Sequence, residues 1–377
     1  MKIAVNTRLL LPGKLDGIGW FSYETLKRIT TGHPEHEFIF MFDRKFSDEF
    51  IFSNNIKPII VHPQSRHPIL WYLFFEFGVT SALNKIKPDL FFSPDGWLSL
   101  RTDTKSVNVI HDLNFETYPQ FLPFHVNQYY KYFIPRFAAK ASRIATVSEF
   151  TKKDIHEKYG ISPDLIDVVY NGANEKFVPV SDEVKTEVRN KYTAGNPYFV
   201  FVGTIHPRKN LTNMLRAFNH FKLSHSSNVK LLIIGEKKWW TADIKKAYDE
   251  VQFKEDVFFV GRLESEELHR VIASALAMLY VSYFEGFGIP IVEAFYCDVP
   301  VITSNVTSMP EVAGDAAILT DPFSFESISN AMVQIATDEK LRTSLIEKGR
   351  QRKQLYSWQK SADRLWEVIL KAVQSNR

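Results

Sequence analysis

Two cationic side chains, Arg208 and Lys209, stand where the sequence predicts the beginning of a helix. The apolar run 198–202 is typical of a buried strand, Gly203 follows it in a turn, and a helical pattern begins near Asn210. Cations at that end of a helix cost on the order of 0.3–1 kcal/mol, because the helix dipole is positive there. A pyrophosphate would reverse this penalty by accepting hydrogen bonds from backbone N–H groups and from both cations. We therefore predict an anion site containing Gly203, Arg208 and Lys209, and the alternative is two solvated surface cations.

Two carboxylates eight residues apart, Glu285 and Glu293, flank a second turn from strand to helix. Pro290 suits a first helical turn, which places Glu285 at the carboxyl end of the preceding strand and Glu293 near the helix start. Open α/β sheets bind ligands at that edge, so both carboxylates can face one crevice. The residues between them would let a phosphate or sugar approach the backbone, and they complete the predicted site: Gly286, Phe287, Gly288 and Ile289. The alternative is a favourable acid near a helix start and a solvated turn residue.

Further candidates follow strands in the first half of the chain. His111 comes directly after the apolar run 106–110, where it can donate a hydrogen bond to a hydroxyl or to developing charge. Asp112 can orient a neighbouring group. Asp16 and Gly17 lie in a predicted turn between the first strand and a helical pattern, where the backbone can pass close to a phosphate or sugar. This turn lacks the GxGxxG spacing of a nicotinamide or flavin site. A purely structural role is the alternative for His111.

Parallel sheets covered by helices are the elements that must position these residues. Short apolar runs alternate with longer amphipathic stretches in both halves of the chain, which is typical of an α/β fold. Strands are predicted at 2–6, 37–42, 90–93, 106–110, 143–147, 166–169, 198–202, 230–234, 257–260, 277–281 and 299–303. A chain of 377 residues usually forms two domains, and the boundary is expected within 177–197. A last amphipathic helix is predicted at 358–373.

Composition excludes several classes of protein. The 46 Lys and Arg against 43 Asp and Glu leave a net charge of +3, too small to indicate nucleic-acid binding. Cys297 is the only cysteine, so neither an intrachain disulfide nor a cysteine-based zinc site can form, and a cytoplasmic setting is expected. The chain has no HExxH motif and no Asp-x-Asp at a strand end, so no metal site is predicted.

The most apolar stretch, 69–79, is interrupted by Glu76 and is far shorter than the roughly 20 residues that span a bilayer. A buried helix of the first domain is the favoured interpretation. Contact with the surface of a membrane is the alternative.

Taken in order, the motifs resemble glycosyltransferase family 4, the retaining transferases with the GT-B fold. The resemblance covers nearly the whole chain, and its most diagnostic element is the pair Glu285 and Glu293. The motifs are Gly17-Ile18-Gly19, His111-Asp112-Leu113, Thr146 to Thr151, Asn171-Gly172, Val202-Gly203, Arg208-Lys209-Asn210, Glu285 to Glu293, Val299 to Ser304 and Met309 to Gly314.

The resemblance implies two Rossmann-like domains that face each other across a cleft. The first, residues 1–178 with a C-terminal helix at 358–377 that crosses back to it, would bind the acceptor, and the second, 179–357, would bind the nucleotide-sugar. No cofactor is implied. The implied roles are the donor diphosphate for Arg208 and Lys209, the ribose for Glu293, the donor sugar beside its anomeric carbon for Glu285, and the sugar from the opposite domain for His111. The family often has Gly-Gly at the first turn, whereas Asp16 precedes Gly17 here, so Asp16 is expected on the acceptor side together with Asp112.

Among members of this family, the chain looks most like mannosyltransferases that use GDP-mannose. The implied acceptor is a saccharide or a lipid-linked oligosaccharide in polysaccharide or lipopolysaccharide biosynthesis. Transferases that use UDP-sugars share the same residues and are an alternative. A sugar-nucleotide-binding module without catalysis, and a phosphorylase or epimerase of the same fold, are further alternatives.

Overall fold

The computed structural model describes residues 1–375, which form two compact units. The first unit contains Met1–Gly172 together with the chain from Trp358 onward, and the second contains Ala173–Ser357. The second unit thus begins at residue 173, against 179 in the expected division. Residues 376 and 377, which the expected last helix includes, lie outside the described residues.

A parallel sheet with strand order β3-β2-β1-β4-β5-β6-β7 forms the centre of the first unit. Its strands are β1 Lys2–Asn6, β2 Glu37–Phe42, β3 Ile56–Ile60, β4 Leu90–Ser93, β5 Ser106–Ile110, β6 Arg143–Thr146 and β7 Ile166–Val168. The helices that connect them are α1 Gly17–Gly32, α2 Pro68–Leu73, a π-helical segment Phe74–Val79, α3 Thr80–Ile86, α4 Asn114–Thr117, α5 Phe124–Lys140 and α6 Glu149–Tyr159.

The second unit repeats this plan with a parallel sheet of order β10-β9-β8-β11-β12-β13. Its strands are β8 Tyr198–Val202, β9 Lys230–Ile234, β10 Val257–Gly261, β11 Ala277–Tyr280, β12 Val301–Ser304 and β13 Ala317–Thr320. Its helices are α7 Asp182–Thr193, α8 Leu211–Ser224, α9 Ala242–Glu250, α10 Ser265–Ala273, α11 Ile289–Tyr296, α12 Met309–Ala313, α13 Phe325–Thr337 and α14 Glu339–Arg352.

The central strands of both sheets are buried on both faces, which explains why their sequences are apolar runs without alternation. The α/β fold and the predicted strands are confirmed, with ends that differ by at most two residues. The predicted strand 299–303 begins only at Val301, because the proline at position 300 has no N–H to donate to the ladder. The sequence prediction missed β3 and β13, each of which is one of the two edge strands of its sheet.

Each sheet reverses its strand order at one place, between β1 and β4 in the first unit and between β8 and β11 in the second. The loops that leave two such neighbouring strands diverge to opposite sides of the sheet, so a crevice opens at their carboxyl ends, and this is where α/β sheets bind ligands. The predicted site residues of the second unit follow β8 and β11.

The last helix, α15 Trp358–Gln374, packs against α1 and the strands β4, β5 and β6 of the first unit. An ion-pair cluster ties its end to the sheet edge, because the buried carboxylate of Asp167 on β7 accepts hydrogen bonds from Lys371 at 2.7 Å and from Arg143 at 2.8 Å. Burial raises the pKa of Asp167, but the hydrogen bonds from Lys371 and Arg143 outweigh that effect and hold it below its ordinary value.

We predict that Asp167→Asn lowers the free energy of unfolding at pH 7 by about 1–3 kcal/mol, the scale of hydrogen bonds to a charged group. Since the pKa is lowered in the folded state, this stabilisation is present above the unfolded-state pKa and is lost as the pH falls through the folded-state value. Urea unfolding of both proteins between pH 7 and pH 3 should show the difference shrinking. Asp103→Asn, at a fully exposed carboxylate 3.5 Å from Lys140, is the matched control and should change little. A difference that does not depend on pH would contradict the prediction.

Candidate functional site

A tight turn carries Arg208 and Lys209 from the end of β8 to the start of α8. Pro207–Lys209 forms a single 3-10 turn, and the side chain of His206 caps it by accepting a hydrogen bond from the backbone N–H of Arg208 at 3.1 Å. Asn210 adopts a left-handed conformation with φ of 62° and links this turn to α8, which begins at Leu211. The predicted order of strand, glycine turn, cations and helix is therefore confirmed.

Glu285 joins the two cations into one cluster. Its Oε2 accepts a hydrogen bond from Nη1 of Arg208 at 2.6 Å, and its Oε1 accepts one from Nζ of Lys209 at 2.7 Å. The residue is only 6% exposed. Arg208 also donates to the carbonyl of Phe284 at 2.6 Å, which fixes its guanidinium against the loop after β11. Neither cation is the isolated surface group of the alternative interpretation.

The charges of this cluster keep Glu285 ionised. Burial raises the pKa of Glu285, but Arg208 and Lys209 outweigh burial and lower it to about 2. Among these three side chains, two positive charges stand against one negative charge, an excess of one. An anionic ligand would be attracted to that excess in a place where water screens charge poorly.

Tyr280, at the end of β11, completes the cluster and was missed by the sequence prediction. Its hydroxyl oxygen accepts a hydrogen bond from Nζ of Lys209 at 2.7 Å, and the ammonium lies 4.9 Å from the centroid of its ring. Burial, followed by the neighbouring charge of Glu285, raises the pKa of this hydroxyl above its ordinary value. No sequence signal marks Tyr280, because it reads as one more buried residue of an apolar strand.

Glycine permits the close approach of two loops beside the cations. Gly235 follows β9 with φ of 148°, and a Cβ built on it would lie 1.9 Å from the carbonyl oxygen of Gly203. Gly203 in turn lies beside Lys209, whose Cε would be 3.8 Å from a Cβ at this position. Gly203 was a predicted site residue, whereas Gly235 was not.

The loop between Glu285 and α11 is held by Ser308, a residue that the sequence prediction also missed. The Ser308 hydroxyl donates to the carbonyls of Glu285 at 2.9 Å and Phe287 at 3.0 Å. Gly288 precedes α11 with φ of 105°, a backbone conformation that residues other than glycine rarely adopt. Of the other predicted residues here, Ile289 begins α11, Gly286 lies within the loop, and the side chain of Phe287 packs in the core against Tyr356, so only its backbone could face a ligand.

Glu293 differs from Glu285 in having no partner. It lies half-buried on α11, and its carboxylate makes no hydrogen bond or ion pair with any residue between 1 and 375. Burial raises its pKa to about 7. Such a carboxylate is available to accept hydrogen bonds from a ligand, and accepting them would favour its ionised form.

His111 is oriented by the backbone of the first unit. Its Nε2 lies 2.7 Å from the carbonyl oxygen of Pro94, which can only accept, so Nε2 carries the proton. Burial lowers the pKa of His111, so the ring is neutral near pH 7 and its Nδ1 is an acceptor. The ring packs edge-on against Phe21 with centroids 5.0 Å apart. The position at the carboxyl end of β5 agrees with the prediction.

The structure gives local roles to the two other acidic candidates of the first unit. Asp16 is the N-cap of α1, and its Oδ1 accepts from the backbone N–H of Gly19 at 3.0 Å. Gly17 is the first residue of α1 and not part of a turn, which corrects the predicted loop; the cap at Asp16 lets the helix start earlier. Asp112 accepts from the backbone N–H of Asn114 at 3.0 Å at the start of α4. Contact of Asp16 and Asp112 with an acceptor stays a prediction.

Within residues 1–375, no group of three His, Cys, Asp or Glu side chains has the geometry to hold a metal ion. In the same part of the chain, no helix has both the length and the apolar character to cross a membrane.

Two family profiles match the chain in succession. The profile described as Glycosyltransferase Family 4 matches residues 22–177, and that described as Glycosyl transferases group 1 matches residues 184–352. The chain belongs to glycosyltransferase family 4. The chain is similar to the O-antigen chain mannosyltransferase B of Escherichia coli, with 27% identity over 356 residues that cover 92% of this chain and 93% of the relative.

Solved structures share the fold of this glycosyltransferase over its full length. Sucrose-phosphate synthase from Thermosynechococcus elongatus superposes with a TM-score of 0.79 at 18% identity and covers 100% of both chains. Anabaena HepE in complex with UDP and glucose superposes with a TM-score of 0.77 at 15% identity and covers 98% of this chain and 99% of that one. The two doubly wound parallel sheets are therefore those of the GT-B fold, as predicted.

We predict that Glu293→Gln stabilises the glycosyltransferase in alkaline but not in acidic solution. Because the folded-state pKa of Glu293 is raised to about 7, its protonated carboxyl contributes stability that is fully present below the unfolded-state pKa. This contribution is lost as the pH rises through 7. At pH 8.5 the variant should therefore melt at a temperature about 2–4 °C higher than the wild type, and at pH 5 at about the same temperature. Thermal unfolding at both values measures this. Glu255→Gln, at an exposed carboxylate, is the control and should show no pH-dependent gain; a gain of equal size at pH 5 for Glu293→Gln would contradict the prediction.

Proposed function

We propose that this glycosyltransferase moves mannose from GDP-mannose to a saccharide or lipid-linked acceptor, with retention of anomeric configuration, during polysaccharide or lipopolysaccharide assembly. The observation that carries the proposal is the cluster of Arg208, Lys209 and Glu285 at the reversal point of the second sheet. Its excess positive charge complements the negative charge that develops on the phosphate when a glycosyl diphosphate bond breaks. Its ionised carboxylate complements the positive charge that develops on the sugar.

The two cations are assigned to the diphosphate. In the proposed transfer, the bond between the anomeric carbon and the phosphate oxygen breaks, and its electron pair stays on the phosphate as negative charge. Arg208 and Lys209 are already fixed by hydrogen bonds, so they can stabilise that charge without reorganising during the reaction. Their contacts with Glu285 must be shared with the phosphate oxygens when the donor binds.

Glu285 is assigned to the sugar. Positive charge develops at the anomeric carbon as the bond breaks, and a carboxylate with a pKa of about 2 stays ionised to stabilise it at every working pH. Its two oxygens are both bound to cations, which makes it a poor nucleophile and supports attack by the acceptor hydroxyl from the face that the phosphate leaves. The leaving phosphate then accepts the proton of that hydroxyl.

Glu293 is assigned to the ribose of the donor. Its carboxylate has no partner among residues 1–375, and two ribose hydroxyls could donate to it. The assignment of His111 to the donor sugar stays a prediction from the family resemblance. What the structure adds is its neutral state and its proton on Nε2.

Mannose is supported by the similarity to O-antigen chain mannosyltransferase B, whereas guanine rests on the family resemblance of the motifs alone. Anabaena HepE was solved in complex with UDP and glucose, but at 15% identity its likeness speaks for the fold alone, so a UDP-sugar stays the alternative. The donor is therefore the part of the proposal that most needs an experiment.

We expect Glu285→Gln to lower the turnover number by about 100- to 1000-fold, the scale of removing one preorganised charge from a reaction centre. Its affinity for GDP should be unchanged or higher, since Arg208 and Lys209 lose a competing carboxylate. Lys209→Met should behave in the opposite way and bind GDP about 10- to 150-fold more weakly, equivalent to about 1.5–3 kcal/mol. Calorimetry with GDP and initial rates with the complete donor measure the two effects.

Thermal unfolding of both variants controls for misfolding. Arg350→Met removes an exposed cation of the second unit that pairs with Asp298, away from the cluster, and should leave GDP affinity unchanged. Normal turnover in Glu285→Gln, or undiminished affinity in Lys209→Met, would overturn the assignment of that residue.

GDP-mannose should raise the melting temperature more than the UDP, ADP and dTDP sugars do, because a ligand that binds only the native state stabilises it.

GDP release should depend on an added acceptor, and proton NMR should show an α-linked product from the α-linked donor. A β-linked product would contradict retention. Nucleotide or sugar release without an acceptor would favour an epimerase or phosphorylase, and binding without turnover would favour a module that has lost catalysis.

A further inference from the structure

One face of the helical segment 68–86 is apolar and exposed. The segment packs its inner side into the core of the first unit through Phe74, Phe75 and Val79. Its outer side carries Ile69, Leu73 and Phe77, spaced four residues apart, with Ile69 69% exposed and Phe77 46% exposed. The inner side agrees with the interpretation of a buried helix, and contact of the outer side with a membrane stays a prediction.

The neighbouring helix α5 extends this apolar face. Its first residue, Phe124, is 78% exposed, and Tyr132 is 53% exposed. A continuous line of ring contacts joins the two helices, with centroid separations of 5.9 Å from Phe77 to Tyr72, 5.9 Å from Tyr72 to Phe133 and 4.8 Å from Phe133 to Tyr132. We call this row of four rings the aromatic strip.

Cations flank the aromatic strip at both ends. The guanidinium of Arg101 lies 4.3 Å from the centroid of the Phe77 ring, and that of Arg136 lies 3.6 Å from the centroid of the Tyr132 ring. Lys131 is exposed between them along α5. Each guanidinium is therefore held at the surface by an aromatic face.

Exposed acids are missing from both helical segments. Among residues 68–86 and 124–140, the single acidic side chain is Glu76, which is buried and accepts a hydrogen bond from the backbone N–H of Leu100 at 3.0 Å. Glu76 also pairs with Arg101 at 3.9 Å, and the exposed Asp103 lies 3.5 Å from Lys140 at the end of α5. The exposed charges on the two segments themselves, such as those of Lys131 and Arg136, are positive.

We propose that the aromatic strip, with Ile69, Leu73 and Phe124, docks the glycosyltransferase onto the surface of a membrane that contains anionic phospholipids. Exposed Ile, Leu and Phe would enter the boundary between headgroups and acyl chains, and Tyr side chains would place their hydroxyls among the headgroups. Arg101, Lys131 and Arg136 would then lie at the level of the lipid phosphates, whose charge they complement. To match this face, a protein partner would need a large apolar surface whose charged side chains are all acidic.

The docking surface goes beyond the proposed transfer, because none of its residues has a role in donor binding or in chemistry. Failure of the docking proposal can therefore be told apart from failure of the proposed function. Turnover of a short water-soluble acceptor reports on the site, and binding to vesicles reports on the aromatic strip.

Sedimentation with lipid vesicles tests the proposal. The full-length wild type should bind vesicles of phosphatidylcholine with about one third phosphatidylglycerol, and about 0.5 M salt should weaken the binding because it screens the charge. The combined variant Ile69→Ser, Leu73→Ser, Phe77→Ser should bind about tenfold or more weakly, with an unchanged melting temperature and unchanged turnover of the water-soluble acceptor. Lys131→Glu with Arg136→Glu should lose preference for anionic vesicles and keeps the test informative if the first variant misfolds.

A matched control comes from the second unit. Leu223 and Phe323 are exposed apolar side chains of that unit, and Leu223→Ser with Phe323→Ser should bind vesicles as the wild type does. Failure of the wild type to bind anionic vesicles, or equal binding by the serine variant at 69, 73 and 77, would overturn the proposal. So would a wild-type dimer, seen by analytical ultracentrifugation, that the same serine variant abolishes without loss of vesicle binding, since the strip would then join two copies of the chain.

Discussion

The removal of charge from water is the constraint on which the site of the second unit depends. A carboxylate that loses its hydration without compensation costs several kcal/mol, so Glu285 can be buried only with Arg208 and Lys209 in contact with it. The surrounding polar groups follow from this requirement. Tyr280 holds the ammonium, and Ser308 fixes the loop that carries the carboxylate. The excess of one positive charge is what remains for a ligand to neutralise.

The two glutamates of the diagnostic pair show how environment separates identical side chains. Glu285, between two cations, has a pKa of about 2, whereas Glu293, to which residues 1–375 supply no hydrogen bond or ion pair, has one of about 7. Burial raises the pKa of both, so the difference comes from the charges of Arg208 and Lys209 and from the hydrogen bonds that Glu285 accepts. In the proposed transfer, the first stays a fixed negative charge beside the sugar. The second becomes charged most easily when hydroxyl donors of a nucleotide surround it, which makes donor binding and ionisation of Glu293 mutually supportive.

Sequence patterns predicted every strand inside the two sheets and the edge strands β7 and β10, and missed the edge strands β3 and β13. Strand β3 contains Lys57 and Pro58, and an edge strand tolerates both because one side of it forms no ladder, so its apolar run is interrupted. Arg208, Lys209 and Glu285 were predicted as site residues because packing of an apolar core does not explain charged side chains that follow a buried strand. Tyr280 and Ser308 could not be predicted, since their roles depend on contacts between residues that lie 21 to 71 positions apart in sequence.

The reversal point of the first sheet has a different chemistry from that of the second. There Asp95 pairs with Arg8 at 2.6 Å and accepts from Asn6 at 2.8 Å, so the buried charges balance each other. The neighbouring carbonyl of Pro94 accepts the proton of His111, which leaves a neutral ring with one fixed acceptor. The first unit therefore presents a group that can bind a hydroxyl without attracting an anion, and the second presents net positive charge. Net positive charge suits the diphosphate that leaves in the proposed transfer.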